Sequence, residues 1–265
     1  MSHLALPVEL YRDIIPYVKK RQDLFPLLCT SRSFRVEAER CIYQTLSVKR
    51  PEHCRSFIEL EKHRGIAIHV RSINIGGIGL NGSWTVSVVK QILALLPNLE
   101  DLTMRFRHWP YMLSGGAFPL RQTDSVPFKL RSFASNYIHN DIEPLIFFLK
   151  DHSTTLRYLH LEIIYPYPIR NWYGLSLPVL ETLRTGNGGL VEQVIRNGRV
   201  SELRMDLALD AQRLLGGSSH PRPIPSVKRL RRSVQGMCTT RQLSELFPGL
   251  TNLEVSPEWV SEIMY

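Results

Sequence analysis

Three arginines hold the same place in successive copies of a short pattern: Arg184, Arg204 and Arg231. On parallel strands ~4.8 Å apart, such residues would stack their guanidiniums into a ladder. Planar guanidiniums grip carboxylate or phosphate with paired hydrogen bonds. Arg229 flanks the ladder, and His160 lies one copy earlier, where it would add charge below pH ~6.5. The chemistry expected of this set is non-covalent capture of an acidic or phosphorylated protein segment. The alternative is a solvated strand face neutralised by Glu202 and Asp206. Residues 196–241 hold 10 Lys/Arg against 3 Asp/Glu, a local excess of +7 that would attract such a segment. The aromatic stretch 165–173, with Tyr165, Tyr167, Trp172 and Tyr173, is either an apolar anchor beside the ladder or a plug packed on the neighbouring copy.

Other sets point to less. Gly77-Ile78-Gly79-Leu80-Asn81-Gly82 has the G-x-G-x-x-G form and lies between a strand and a helix, as a dinucleotide loop does. The acidic residue expected at the end of the next strand is missing, because Phe106, Arg107 and His108 stand there. A turn between copies is the better reading. Cys41, Cys54, His63 and His69 lack the paired short spacings of a zinc site. No G-x-S-x-G, H-E-x-x-H or phosphate-loop motif occurs, so neither catalysis nor a cofactor is expected. The 4 cysteines form no C-x-x-C pair, which fits reduced thiols. No apolar run nears the ~18 residues of a membrane span, and the N-terminus does not read as a signal peptide. Cytoplasm or nucleus is the expected location. A net charge of +9 on 265 residues is weak support for nucleic acid as a partner.

The arginines are placed by a cadence. Leu99-x-x-Leu102-x-Met104, Leu156-x-x-Leu159-x-Leu161 and Leu250-x-x-Leu253-x-Val255 share the form L-x-x-L-x-L. Looser copies start at Val70, Leu130, Leu180, Val200 and Val227, and Tyr43 to Val48 supplies a first strand. Units of ~20–29 residues with this cadence are the signature of leucine-rich repeats, whose stacked strands form one core and one curved face. Strand side chains alternate, so Asn74, Thr103, Ala134, His160, Arg184, Arg204, Arg231 and Glu254 should point away from the core. Leu99, Leu156, Leu159 and Leu253 should point inward. Helices are expected over 51–63, 84–96, 142–150 and 190–196, with long insertions at 107–128 and 165–177.

The first 45 residues differ in kind. Leu6, Leu10, Ile14 and Val18 repeat every four residues as one helical stripe, which Pro16 should bend or shorten. Leu24, Leu27 and Leu28 follow, and a last helix carries Phe34, Ala38, Cys41 and Ile42 on one face.

Leu6-Pro7-x-Glu9-Leu10, then Ile14, Tyr17-Val18, Asp23-Leu24 and Phe34, resemble an F-box. The sequence departs from the family at Pro16, at Pro26 and in a connector one residue longer. The whole chain is similar to short fungal F-box proteins in which the box precedes degenerate leucine-rich repeats. The resemblance implies a three-helix F-box over 1–45 and a repeat solenoid over 46–265, an α/β protein with strands on the concave face. It implies a substrate receptor of an SCF-type cullin–RING ubiquitin ligase, without catalysis of its own. Leu6, Pro7, Leu10, Ile14, Tyr17, Leu24, Leu27, Leu28 and Phe34 would then meet a Skp-family adaptor and, through it, cullin. The alternatives are an N-terminal cap that merely buries these residues, a repeat scaffold without ligase coupling and, far behind, a nucleotide-binding enzyme using Gly77–Gly82.

Overall fold

The computed structural model describes residues 7–18, 20–77, 86–106, 120, 126–136, 142–162, 172–205, 223–233 and 240–256. Among these residues, nine strands form one sheet, with every neighbouring pair parallel and the spatial order equal to the chain order. They are β1 (Thr45–Val48), β2 (Ser72–Gly77), β3 (Asp101–Phe106), β4 (Ser132–Ser135), β5 (Tyr158–Leu161), β6 (Thr182–Thr185), β7 (Glu202–Met205), β8 (Arg229–Ser233) and β9 (Asn252–Ser256). Returning segments carry α3 (Pro51–Arg64), α4 (Val86–Ala94), α5 (Glu143–Asp151), α6 (Gly188–Asn197) and α7 (Thr240–Leu246). Sequential parallel strands joined by such returns make a solenoid-like α/β fold.

The register follows the cadence. Ile73, Leu102, Phe133, Leu159, Leu183, Leu203, Leu230 and Leu253 are Cα partners from strand to strand. A repeated backbone device sets it. The amides of Glu100 and Asp101 both donate to the Arg71 carbonyl, at 2.8 and 3.0 Å. The same double donation recurs at the entry of every strand from β2, on the Gln44 carbonyl, to β9, on that of Lys228. At Gly76 the β2 backbone has φ +151, and an added Cβ would collide with the Arg105 carbonyl, so only glycine fits there.

Helix ends obey local chemistry. Ser31 Oγ accepts from the Phe34 amide at 3.3 Å, and Asn187 Oδ1 from the Leu190 amide at 2.9 Å. Pro51 opens α3, and Gly65, at φ 61, ends it. α7 was not among the expected helices, although Leu243, Leu246 and Phe247 have helical spacing and are buried.

The main core runs from Val48 to Phe247 between the sheet and its returns. The long insertions feed it: Leu120, Phe128, Trp172, Leu175 and Leu177 are all buried in it. Leu253 departs from the expected inward set, being 41% exposed because β9 is the last strand of the sheet. Ser135 occupies a core position where neighbouring repeats carry Met104 and Leu161, and its buried hydroxyl lacks a hydrogen-bond partner among the described residues. Ser135→Ala removes that unpaired group and should raise stability by about 1 kcal/mol in urea denaturation; a drop would mean that the hydroxyl is satisfied.

A second, smaller core lies within residues 11–43. Ile15, Leu24, Ala38 and Ile42 are its buried members, and Tyr43 packs against both cores. It is built by α1 (Val8–Ile14), a 3-10 turn over Ile15–Tyr17, two further 3-10 turns over Arg21–Leu24 and Pro26–Cys29, and α2 (Arg32–Tyr43). The expected three-helix arrangement is therefore not found among the described residues, because the middle helix is replaced by tight turns. Proline lacks the N–H that a helix interior needs, so it breaks the hydrogen-bond ladder, while Ile15 and Phe25 before the two prolines keep helical dihedrals. Pro16 accordingly ends α1 in a 3-10 turn, and Pro26 splits the segment behind it.

Candidate interaction surfaces

The N-terminal unit has two faces. Tyr11, Ile15 and Val18 turn toward the small core, together with half-buried Leu27, Leu28 and Phe34. Tyr11 packs against Phe34 with ring centroids 4.2 Å apart and the rings tilted by 41°. Leu10, Ile14 and Tyr17, one position earlier, recur at the same spacing and are 40%, 52% and 83% exposed. Val18 thus belongs to the core side, not to a stripe with Leu10 and Ile14. Exposed Pro7 precedes them, and Phe25 is half exposed. Leu24 is buried, so it supports this unit rather than offering itself to a partner. Leu6 lies outside the described residues.

The solvent face of the sheet holds the arginines. Arg184, Arg204 and Arg231 are successive Cα partners, with His160 before them and Glu254 after. Arg232, at the last apolar position of the copy that starts at Val227, pairs with Met205 and Val255 without breaking the register. Arg229 pairs with Glu202 on the same face, two residues before Arg231. The ladder does not stand alone. Arg204 meets Glu202 at 2.6 Å, and Arg231 lies 3.7 Å from Glu254. Asp206 lies outside the described residues.

His160 does not extend the ladder as an exposed cation. It is buried beside Ala134, a Cα partner small enough for Arg105 to reach over from β3. The Arg105 guanidinium lies 3.1 Å from His160 Nδ1, and His160 Nε2 lies 3.3 Å from Glu162. A guanidinium only donates, so Nδ1 accepts and Nε2 carries the proton toward Glu162. The hydrogen bond from His160, then the charges of Arg105 and Arg184, hold the Glu162 carboxyl below its usual range against the opposing effect of burial. The histidine expected to add charge to the ladder is thus a buried link between an arginine and a carboxylate.

The aromatic stretch divides. Trp172 is fully buried, which assigns it to the plug and corrects its place among surface anchors. Tyr173 is 65% exposed. Tyr165 and Tyr167 lie outside the described residues. Gly77 closes β2 opposite Phe106, and the remainder of the glycine-rich loop, from 78 onward, also lies outside them.

Among the described residues, no group of three His, Cys, Asp or Glu could hold a metal ion. Burial pushes the Cys54 thiol up to about 12, far from a reactive thiolate. No described helix is long and apolar enough to cross a membrane. The chain matches no protein-family model and no curated protein.

Proposed function

We propose that this chain is the substrate-recognition subunit of an SCF-type cullin–RING ubiquitin ligase. In this reading residues 1–45 bind a Skp-family adaptor, the repeats bind the substrate protein, and the chain itself performs no chemistry. The observation that carries the proposal is the outward apolar stripe Leu10, Ile14 and Tyr17. These residues sit inside the F-box-like motif, yet the small core is completed without them. An amphipathic helix with a spare apolar face is a standard means of docking into a partner groove. A separate small core also leaves the repeat sheet free for a second partner.

The second reading is a repeat scaffold without ligase coupling. It is favoured by the 3-10 turns that stand where the F-box pattern expects a helix. Co-expression with a Skp-family adaptor separates the two. The wild-type chain should co-purify adaptor and cullin. Leu10→Asp puts a charge on the docking face and should reduce capture at least about tenfold, since burying an unpaired carboxylate costs more than the ~1.4 kcal/mol that factor represents. The repeats should stay folded in that variant. Equal capture by Leu10→Asp and wild type would overturn the assignment of the stripe, and absence of capture by wild type would favour the scaffold.

A further inference from the structure

We propose that the solvent face of β7–β9 docks an extended peptide segment bearing two oxyanions, phosphate or carboxylate, within about two residues of each other. The proposal rests on the receptor reading only in identifying that peptide as the substrate's.

Geometry comes first. Arg204 and Arg231 are Cα partners on neighbouring parallel strands, ~4.8 Å apart, so an anion held by Arg231 lies beside Arg204, whose Nε and Nη2 are turned to Glu202. Arg229 lies two residues earlier on the same face, ~7 Å along the strand, within reach of a second group. An extended peptide repeats its own side-chain direction with the same two-residue step.

Charge comes second. The solvent-face residues of β6–β9 include Arg184, Arg204, Arg229 and Arg231 against Glu202 and Glu254, while Thr182 and Asn252 are neutral. Glu202 receives both Nε and Nη2 of Arg204 at 2.6 Å. Glu254 sits 3.7 Å from Arg231, with both side chains about half exposed or more. Arg229 makes no ion pair among the described residues. Exposed ion pairs contribute little and exchange readily. A phosphate carries about −1.5 to −2 charges and three acceptor oxygens, more than the single carboxylate it would displace from Arg231. Glu254 is thereby a resident occupant that a stronger anion replaces.

The test is fluorescence polarisation with the full chain and labelled peptides of a Gly/Ser/Ala background, whose centre is Gln-x-Gln, Glu-x-Glu or phosphoserine-x-Glu. The Glu peptide should bind more tightly than the Gln peptide, and the phosphorylated one most tightly, by about tenfold over Gln. Arg229→Ala with Arg231→Ala should remove that advantage. Arg231→Lys, which keeps the charge but not the paired donors, should lose part of it. Glu254→Gln should tighten binding. Arg241→Ala, an exposed arginine of α7 paired with Glu245, is the control for diffuse attraction and should change nothing. The proposal is overturned if the three peptides bind alike, or if Arg241→Ala weakens binding as much as the β8 variants do. All variants are first shown folded by circular dichroism. The Glu and phosphoserine arms separate a constitutively acidic partner from a phosphorylated one. Adaptor is absent from the assay, so Leu10→Asp should bind peptide normally, and a chain that captures adaptor but not peptide refutes this proposal alone.

Discussion

Leu159→Ala should lower stability by about 2–5 kcal/mol, the range for truncating a fully buried leucine that leaves a cavity. Leu159 is 0% exposed in β5, the middle strand, and is the Cα partner of Phe133 on one side and Leu183 on the other. Phe133 is itself packed edge-on against Phe148 of α5, with centroids 5.1 Å apart. Collapse around the lost methyl groups is therefore opposed from three directions. Leu253→Ala is the internal comparison. It holds the same position in the last strand, but it is partly exposed and should cost less than half as much. Guanidinium midpoints of the two variants measure both values. A cost below ~0.5 kcal/mol at Leu159, the usual size for a surface site, would overturn the register.

Acid should unfold the protein through His152. Its ring is fully buried at the end of α5, stacked on Phe128 and edge-on to Phe148, while Nδ1 accepts from the Leu130 amide at 3.4 Å. Burial, and secondarily the charge of Lys129, lowers its pKa to about 4. The unfolded chain, with an ordinary histidine value of ~6.5, then binds more protons than the folded one across that window. The contribution of His152 is full above pH ~6.5, falls as pH drops, and levels off below about 4, for a total on the order of 3 kcal/mol. His152→Gln keeps an acceptor for Leu130 and does not titrate. Urea denaturation at pH 7.5 and pH 4 should show the wild type losing about 3 kcal/mol more than this variant. Equal losses would place the acid sensitivity elsewhere.

Much of the repeat architecture was legible because one rule governs every strand. Residues three and five after each start face inward and the one between faces solvent, which puts Arg184, Arg204 and Arg231 in one row. The ends of the rule were less legible. Leu253 has the inward pattern without a further strand to cover it. His160 sits in the outward row, but whether such a residue is covered depends on neighbours 26 and 55 positions away, Ala134 and Arg105. The N-terminal unit was harder still. A four-residue period joined Leu10, Ile14 and Val18, whereas α1 turns with a shorter period and tightens further after Pro16, which carries Val18 round to the core. The effect of Pro26 depended on which of two adjacent turns the chain would break into. The plug role of Trp172 rested on packing that no local pattern encodes.

The double donation of two amides to one carbonyl at each strand entry has an evolutionary corollary. Each strand takes its alignment from the backbone immediately beside it, and none from the length of chain in between. The intervals between repeat starts here range from 20 to 31 residues without a slip in the ladder. Insertions and deletions in the returning segments are therefore nearly invisible to the sheet. A lineage of such chains can rewrite its loops, and with them its partners, at a rate that its strands do not share.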